Sequence, residues 1–189
     1  MMRLFSTTDL GEQWESMVAH EKRLYPLADY REARETVLGD WWKNNSHWWV
    51  AVGEMETGEI VSSASATLLA KDDLADMMKR GEFGPKSLPS YYKTAEARRN
   101  ELPMLYISSV IVANRMHAPY LFKALSRDLK AAQKTWGVAF EEFVTIAVSK
   151  KAKFLADRYG FRQIGFCMKK YPVYRARRED SPLLTALVG

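Results

Sequence analysis

The stretch Ile111–Leu125, which reads IVANRMHAPYLFKAL, joins the end of an apolar strand to a turn and an amphipathic helix. Leu121, Leu125 and Leu129 recur at helical spacing with charged residues between them, which predicts a helix after the turn. A turn that leads into a helix N-terminus is the layout of a phosphate-binding loop, because unpaired N–H groups and the helix dipole attract anions. Glycine normally lets the backbone approach the phosphate in such loops, yet this turn contains no glycine.

The segments around this turn predict a parallel strand, helix, strand unit. Met104–Ala113 and Phe140–Val148 are nearly continuous apolar runs, the pattern of strands that are buried on both faces of a sheet. Strands joined by a crossover helix pair in parallel. A second helix is predicted over Lys150–Tyr159, ending at Gly160, and Phe161–Tyr174 is predicted as one returning strand.

The first half of the chain predicts helices followed by a hairpin. Helical patterns cover Glu12–Leu24 and Tyr30–Trp42, and a short helix is predicted over Lys71–Arg80. His47–Gly53 and Ile60–Leu69 predict two antiparallel strands joined by a turn. The whole pattern predicts an α/β fold in which helices flank a mixed central β-sheet.

Composition narrows the class of protein. The 189 residues are 47% hydrophobic, which excludes a disordered protein and fits a single domain over residues 1–189. Without a signal peptide or a membrane-length apolar run, and with one cysteine, Cys167, the chain is expected to be cytoplasmic. The net charge of +5 favours an anionic partner without identifying it, and an acidic cofactor or an acidic carrier protein would fit. A solvated surface with both signs of charge interspersed is the alternative explanation. Nucleic acid is disfavoured as a partner, because Lys169–Arg178 is the only segment of the sequence in which basic and aromatic residues alternate as nucleic-acid binding requires. The apolar Pro182–Val188 segment could pack across a homodimer.

Residues Met104–Met168 resemble the core of the GNAT superfamily of N-acyltransferases. The segment Phe154–Phe166, FLADRYGFRQIGF, is similar to the family's passage from the fourth helix through a Gly-Phe pair into the next strand. The segment Ile107–Val112, ISSVIV, is similar to the family's central strand. The resemblance implies transfer of an acetyl or longer acyl group from acetyl-CoA or another acyl-CoA to a small-molecule or peptide amine.

The resemblance also implies which residues hold the donor. The family's Arg/Gln-x-x-Gly-x-Gly/Ala loop falls on His117–Phe122, where none of the glycines is present. In the family, backbone groups of the splayed central strand contact the pantetheine arm. Ser149 falls where the family often has an asparagine that contacts the cofactor. Ser149 is equally suited to cap the helix that follows. The candidate donor-binding residues are Val110, Ile111, Val112, Arg115, His117, Ala118, Tyr120, Phe122 and Ser149.

The missing glycines leave three interpretations open. In the first, the side chains of Arg115 and His117 replace backbone contacts and coenzyme A still binds. In the second, the acyl group arrives as acyl-phosphopantetheine on an acyl carrier protein, and this donor presents only one phosphate. Autoinducer synthases and N-acyl amino acid synthases resemble GNAT proteins in fold and use such donors. Tyr120 and Phe122 suit a long acyl chain in that case. In the third, the domain is catalytically inactive and serves binding or regulation.

The candidate catalytic residues lie in and before the central strand. In many GNAT proteins a tyrosine five residues before the Gly-Phe phenylalanine protonates the leaving thiolate, and that position is Ala156 here. Tyr106 stands where some members carry an acidic base, and Ser108 shares its strand face by the period of two. Glu101 is a further candidate base. No His, Cys, Asp and Glu residues stand at metal-ligand spacing, so no metal site is predicted.

Overall fold

The computed structural model describes residues 2–6, 13, 15–17, 19–20, 23, 47–69, 74–75, 78–79, 104–167 and 169–189. The described residues within the predicted helices 12–24 and 71–80 are helical, which supports both predictions. The predicted helix over 30–42 and the candidate base Glu101 lie outside the described residues.

Seven strands of the described residues form one mixed sheet, in the order β1-β2-β3-β4-β5-β7-β6. β4 and β5 pair in parallel, and the other neighbours are antiparallel. The mixed sheet and the parallel β4-β5 unit were both predicted. The strands are β1 Met2–Phe5, β2 His47–Glu54, β3 Ile60–Leu69, β4 Met104–Ile111, β5 Glu142–Ile146, β6 Arg162–Cys167 and β7 Tyr171–Arg177.

Three helices are described from end to end, and local sequence signals explain their limits. α1, Ala118–Trp136, has proline in its first turn and ends at Gly137, whose φ of 64° suits glycine. α2, Lys150–Arg158, is capped by Ser149. α3, Pro182–Val188, is capped by Ser181. A short 3-10 turn, Arg115–His117, leads directly into α1.

Both faces of the sheet are buried, which accounts for the continuous apolar strands. On one face, Leu121, Leu125 and Leu129 of α1 pack with Phe143 of β5 and Leu184 of α3. The opposite face carries a second core cluster that includes Phe5, Trp49, Tyr106, Val144 and Tyr171. β4 is the middle strand of this sheet, with core on both sides.

The prediction of one strand over Phe161–Tyr174 was wrong. The segment turns at Lys169 and forms a hairpin of β6 and β7, with β7 inserted between β5 and β6. Lys169 has a φ of 54°, a left-handed conformation that lysine rarely adopts, so the sequence gives no turn signal there. The edge strand β1, which pairs with β2, was not predicted.

The C-terminal helix packs within its own chain. Leu184 and Leu187 are buried, and Gln133 Nε2 of α1 donates to the Val188 carbonyl at 2.6 Å. The segment proposed for a dimer surface thus covers α1, and a homodimer stays a prediction. Among the described residues, no helix has both the length and the apolarity needed to cross a bilayer.

Candidate functional site

A wedge opens in the middle of the sheet, between β4 and β5. The two strands pair only where Leu105–Ile107 face Phe143–Thr145. Beyond this point β4 continues to Ile111 along β3, whereas the chain after β5 follows β7, with the Ala147 N–H donating to the Pro172 carbonyl at 3.0 Å. The two strands therefore separate, and Val110 is 59% exposed although it lies in a central strand.

A β-bulge in β4 lies at the start of this wedge. Ile107 pairs with Ala66 and Ser109 pairs with Ser65, so Ser108 is the extra residue of β4. The hydroxyls of Ser108 and Ser65 hydrogen-bond at 2.8 Å, and both residues are buried. A bulge bends its strand and increases its twist, which directs the end of β4 away from β5.

The turn after β4 uses its own backbone donors. Three consecutive backbone N–H groups donate to acceptors within the turn. The Met116 N–H donates to Asn114 Oδ1 at 3.0 Å, and the His117 N–H donates to the Asn114 carbonyl. The Ala118 N–H donates to the Arg115 carbonyl. The next residue, Pro119, has no N–H. In a glycine-rich phosphate loop, backbone donors at such positions bind the anion. This turn instead presents side chains.

A buried serine of β3 anchors the turn. Ser62 Oγ accepts a hydrogen bond from the Ala113 N–H at 3.0 Å, and it lies 2.9 Å from His117 Nδ1. The Ser62 side chain is completely buried. These two bonds fix both the exit from β4 and the ring of His117 against β3.

Solved structures match the chain over nearly its whole length, whereas no model of a known protein family and no curated protein matches it. The N-acyl amino acid synthase FeeM from uncultured soil microbes has a TM-score of 0.55 at 12% identity and covers 98% of this chain and 97% of its own. The mosquito protein arylalkylamine N-acetyltransferase like 5b has a TM-score of 0.51 at 13% identity, with 94% of this chain and 100% of its own covered. The structure of AtaTR with AcCoA has a TM-score of 0.51 at 9% identity, with 97% and 98% covered. The chain has the GNAT fold.

The predicted donor-binding residues lie on both sides of the wedge. Val110, Ile111 and Val112 form the β4 side, and the turn and the start of α1 follow directly. Ser149 lies across the wedge, after β5, and accepts a hydrogen bond from the Ala152 N–H at 3.1 Å as the cap of α2. The remaining predicted residues belong to the turn and the start of α1. Arg115, Ala118 and Tyr120 are exposed, and His117 and Phe122 are half-buried.

The two described catalytic candidates lie at different depths. Tyr106 is completely buried in the core cluster that includes Trp49, within the paired part of β4. Ser108 is 5% exposed and lies at the bulge where the wedge begins. Ala156, at the position of the family's usual thiolate-protonating tyrosine, is buried in α2, and Tyr159 is the residue that caps this helix.

Exposed cations stand on both sides of the wedge. Arg115 lies in the turn, and Lys150, Lys151 and Lys153 lie in the first turn and a half of α2. Because β4 and β5 are parallel, α1 and α2 both begin at the edge of the sheet where these strands end. This edge therefore combines positive charge with two helix N-termini, both of which favour an anion.

The basic and aromatic segment Lys169–Arg178 does not form a nucleic-acid surface of stacked tyrosines. Tyr171 is 4% exposed and Tyr174 is 1% exposed, so both rings belong to the core. Among the described residues, no group of three or more His, Cys, Asp or Glu side chains is arranged to hold a metal ion.

Ser62 and Ser65 were not predicted as part of the site. Both belong to the run VSSASAT in β3, which has small polar side chains in a strand that is buried on both faces. Buried hydroxyls in such a strand need hydrogen-bond partners, so this run was a signal that another element bonds to β3.

Proposed function

We propose that this protein is an N-acyltransferase that moves an acyl group from a pantetheine thioester to a primary amine. The observation that carries the proposal is the wedge between β4 and β5. Val110 and Ile111, which follow the paired part of β4, have no β5 partner among the described residues, so the backbone groups that they direct towards β5 are available to a linear amide-containing arm. Pantetheine is such an arm, and the fold shared with N-acyl amino acid synthase and acetyltransferase structures supports the assignment.

The donor that fits the turn carries a single phosphate. A diphosphate needs several backbone donors, but the N–H groups of Met116, His117 and Ala118 are engaged and Pro119 has none. Acyl-phosphopantetheine on an acidic carrier protein requires fewer donors, and the cations of α2 suit an acidic partner. Acyl-CoA is the second candidate, supported by the exposed Arg115 and by the AcCoA in the AtaTR structure.

The reaction forms one bond and breaks one bond. The amine nitrogen attacks the thioester carbonyl, the new C–N bond forms, and the C–S bond breaks as the amine loses a proton and the thiolate gains one. An N–H group of the unpaired end of β4 would stabilise the oxyanion. Thiols are much stronger acids than alcohols, with a pKa of about 8.5 for cysteine, so a thiolate leaves without strong acid help, and Ala156 does not preclude the reaction.

Within this mechanism Ser108 is the first candidate for contact with the reacting groups, because the bulge places it where the wedge opens. Its hydroxyl is suited to bind the amine or a water molecule that removes the amine proton. Tyr106 is a deeper candidate for the same role, and Glu101 remains a candidate base.

The test is calorimetric titration of the protein with acetyl-CoA and, separately, with an acyl-phosphopantetheine. We expect the acyl-phosphopantetheine to bind at least as tightly as acetyl-CoA, because the diphosphate finds few donors. Tight binding of acetyl-CoA alone would assign the donor as acyl-CoA. Binding of neither compound would contradict the acyltransferase proposal and favour an inactive binding domain.

A matched pair of variants locates the binding site. Ala118→Trp places a bulky side chain at the start of α1 beside the wedge, and we expect it to reduce donor affinity by tenfold or more. Ala131→Trp adds the same bulk at an exposed position further along α1 and serves as the control. Equal effects of both variants would place the donor elsewhere.

A further inference from the structure

We infer that Ser62 is a positioning residue for donor binding, which fixes the tautomer of His117 so that its Nε2–H is the donor presented at the turn. The inference rests on the proposed function, since it concerns recognition of the donor phosphate. It assigns a role to a serine of β3 that does not itself contact the donor.

The hydrogen bonds of Ser62 determine the direction of the bond to His117. Its oxygen accepts from the Ala113 N–H at 3.0 Å, and within the described residues its one other hydrogen bond joins it to His117 Nδ1 at 2.9 Å. A completely buried hydroxyl proton without an acceptor is unfavourable, so the Ser62 proton is directed to Nδ1. The neutral ring then accepts at Nδ1 and carries its own proton at Nε2.

This tautomer provides what the turn otherwise lacks. The backbone N–H groups of Met116, His117 and Ala118 donate within the turn, so a phosphate must be bound largely by side chains. His117 Nε2–H and the guanidinium of Arg115 are donors in that segment. One fixed imidazole donor beside a cation is suited to one phosphate group, in agreement with a phosphopantetheine donor.

The experiment is nitrogen NMR of protein labelled with 15N-histidine, before and after addition of 4′-phosphopantetheine. The chain has three histidines, and the loss of signals in His117→Gln identifies those of His117. We expect His117 in the wild-type protein to carry its proton on Nε2, and its Nε2 signal to shift on titration with 4′-phosphopantetheine.

Three substitutions in β3 separate positioning from general stability. Ser62→Ala should shift the His117 tautomer towards Nδ1–H and weaken 4′-phosphopantetheine binding by roughly threefold to tenfold, the effect of one misdirected hydrogen bond. Ser62→Thr keeps the hydroxyl and should restore both properties. Ser63→Ala is the matched control, because the Ser63 hydroxyl is equally buried and bonds to no other group in the part of the chain that the structure describes. Thermal unfolding of each variant confirms that it is folded.

Two results would overturn the inference in distinguishable ways. If 4′-phosphopantetheine binds but the His117 tautomer is the same in the wild-type protein and Ser62→Ala, then Ser62 does not position the ring and the proposed function stands. If the wild-type protein binds neither 4′-phosphopantetheine nor an acyl thioester, then the proposed function fails and the inference fails with it.

Discussion

Buried serines of β3 have three different environments within four residues. Ser62 bonds to the turn before α1, and Ser65 bonds to Ser108 across the bulge of β4. Ser63 is also completely buried, but its hydroxyl has no hydrogen-bond partner among the residues that the structure describes. Burying an unpaired hydroxyl costs about 1–3 kcal/mol, so two of the three serines are satisfied by the elements that shape the wedge.

Tyr174 provides a prediction about pH at the scale of one residue. Burial raises the pKa of its hydroxyl, and the negative charge of Asp157 adds to the rise. Because the folded state holds this proton more tightly than the unfolded state, the contribution to stability is complete below the unfolded pKa of about 10. It is lost as pH rises above that value, by up to about 1.4 kcal/mol per pH unit until the folded pKa is reached.

Urea unfolding at pH 8 and at pH 10.5 measures this loss. We expect the wild-type protein to lose more unfolding free energy between the two pH values than Tyr174→Phe, which has no proton to release. Tyr120→Phe, which alters an exposed tyrosine, should behave like the wild-type protein. An identical loss in Tyr174→Phe would show that other groups cause the alkaline instability.

At the scale of elements, the sequence predicted those with strong periodicity. The β4, α1 and β5 unit was predicted because long apolar strands flank a clear helical pattern. The β6-β7 hairpin was missed because its turn depends on Lys169 in a left-handed conformation, which contacts elsewhere must impose. The wedge depends on a bulge at Ser108, and no residue type marks that bulge. Long-range pairing, which local pattern does not encode, sets both features.

The sequence selected Val110–Val112 and the following turn as candidate donor-binding residues, and it showed that glycines were absent from the turn. The structure places these residues beside the wedge, and donor binding there stays a prediction. The sequence did not show that Asn114 caps the turn, or that Ser62 reaches His117 from a strand 55 residues away in sequence. Those contacts decide which donors the turn offers to a ligand.

Asn114 allows a prediction about the element that begins α1. Its side chain accepts the Met116 N–H, so Asn114→Ala should lower the unfolding free energy by about 1 kcal/mol. Asn114→Asp keeps the acceptor and places a negative charge at the helix N-terminus, so stability should be retained. The same charge should repel the donor phosphate and weaken acyl-phosphopantetheine binding, whereas Asn114→Ala should leave a donor available there.

Chemical denaturation and calorimetry on the same two variants check this pattern. Ser149→Ala, which removes the cap of α2, is the control for the stability measurement alone, because Ser149 is itself a candidate donor-binding residue. If Asn114→Asp binds acyl-phosphopantetheine as tightly as the wild-type protein, the phosphate does not lie at this turn.

At the scale of the whole molecule, the net charge of +5 is spread over many surfaces, but four cations are concentrated in one short helix. α2 contains Lys150, Lys151, Lys153 and Arg158 against the single acidic residue Asp157. This helix begins at the wedge, so its charge can attract an acidic carrier protein to the place where the phosphopantetheine arm would enter. Association of this kind weakens as salt screens the charges, because the Debye length falls from about 10 Å at 0.1 M to about 3 Å at 1 M.

The last prediction separates a carrier-protein donor from a small-molecule donor. The first ligand is an acidic bacterial acyl carrier protein loaded with an acyl-phosphopantetheine, and its binding should weaken steeply between 0.05 M and 0.5 M salt. Binding of the isolated acyl-phosphopantetheine should weaken less, because salt screens only its one phosphate. Lys151→Glu should reduce carrier binding by roughly twofold to tenfold, since it replaces an exposed attraction with a repulsion. Lys134→Glu, at the far end of α1, makes the same charge change away from the wedge and should have little effect. Similar losses of carrier affinity from both substitutions would mean that net charge alone attracts the carrier. If the loaded carrier does not bind even at low salt, acyl-CoA is left as the donor.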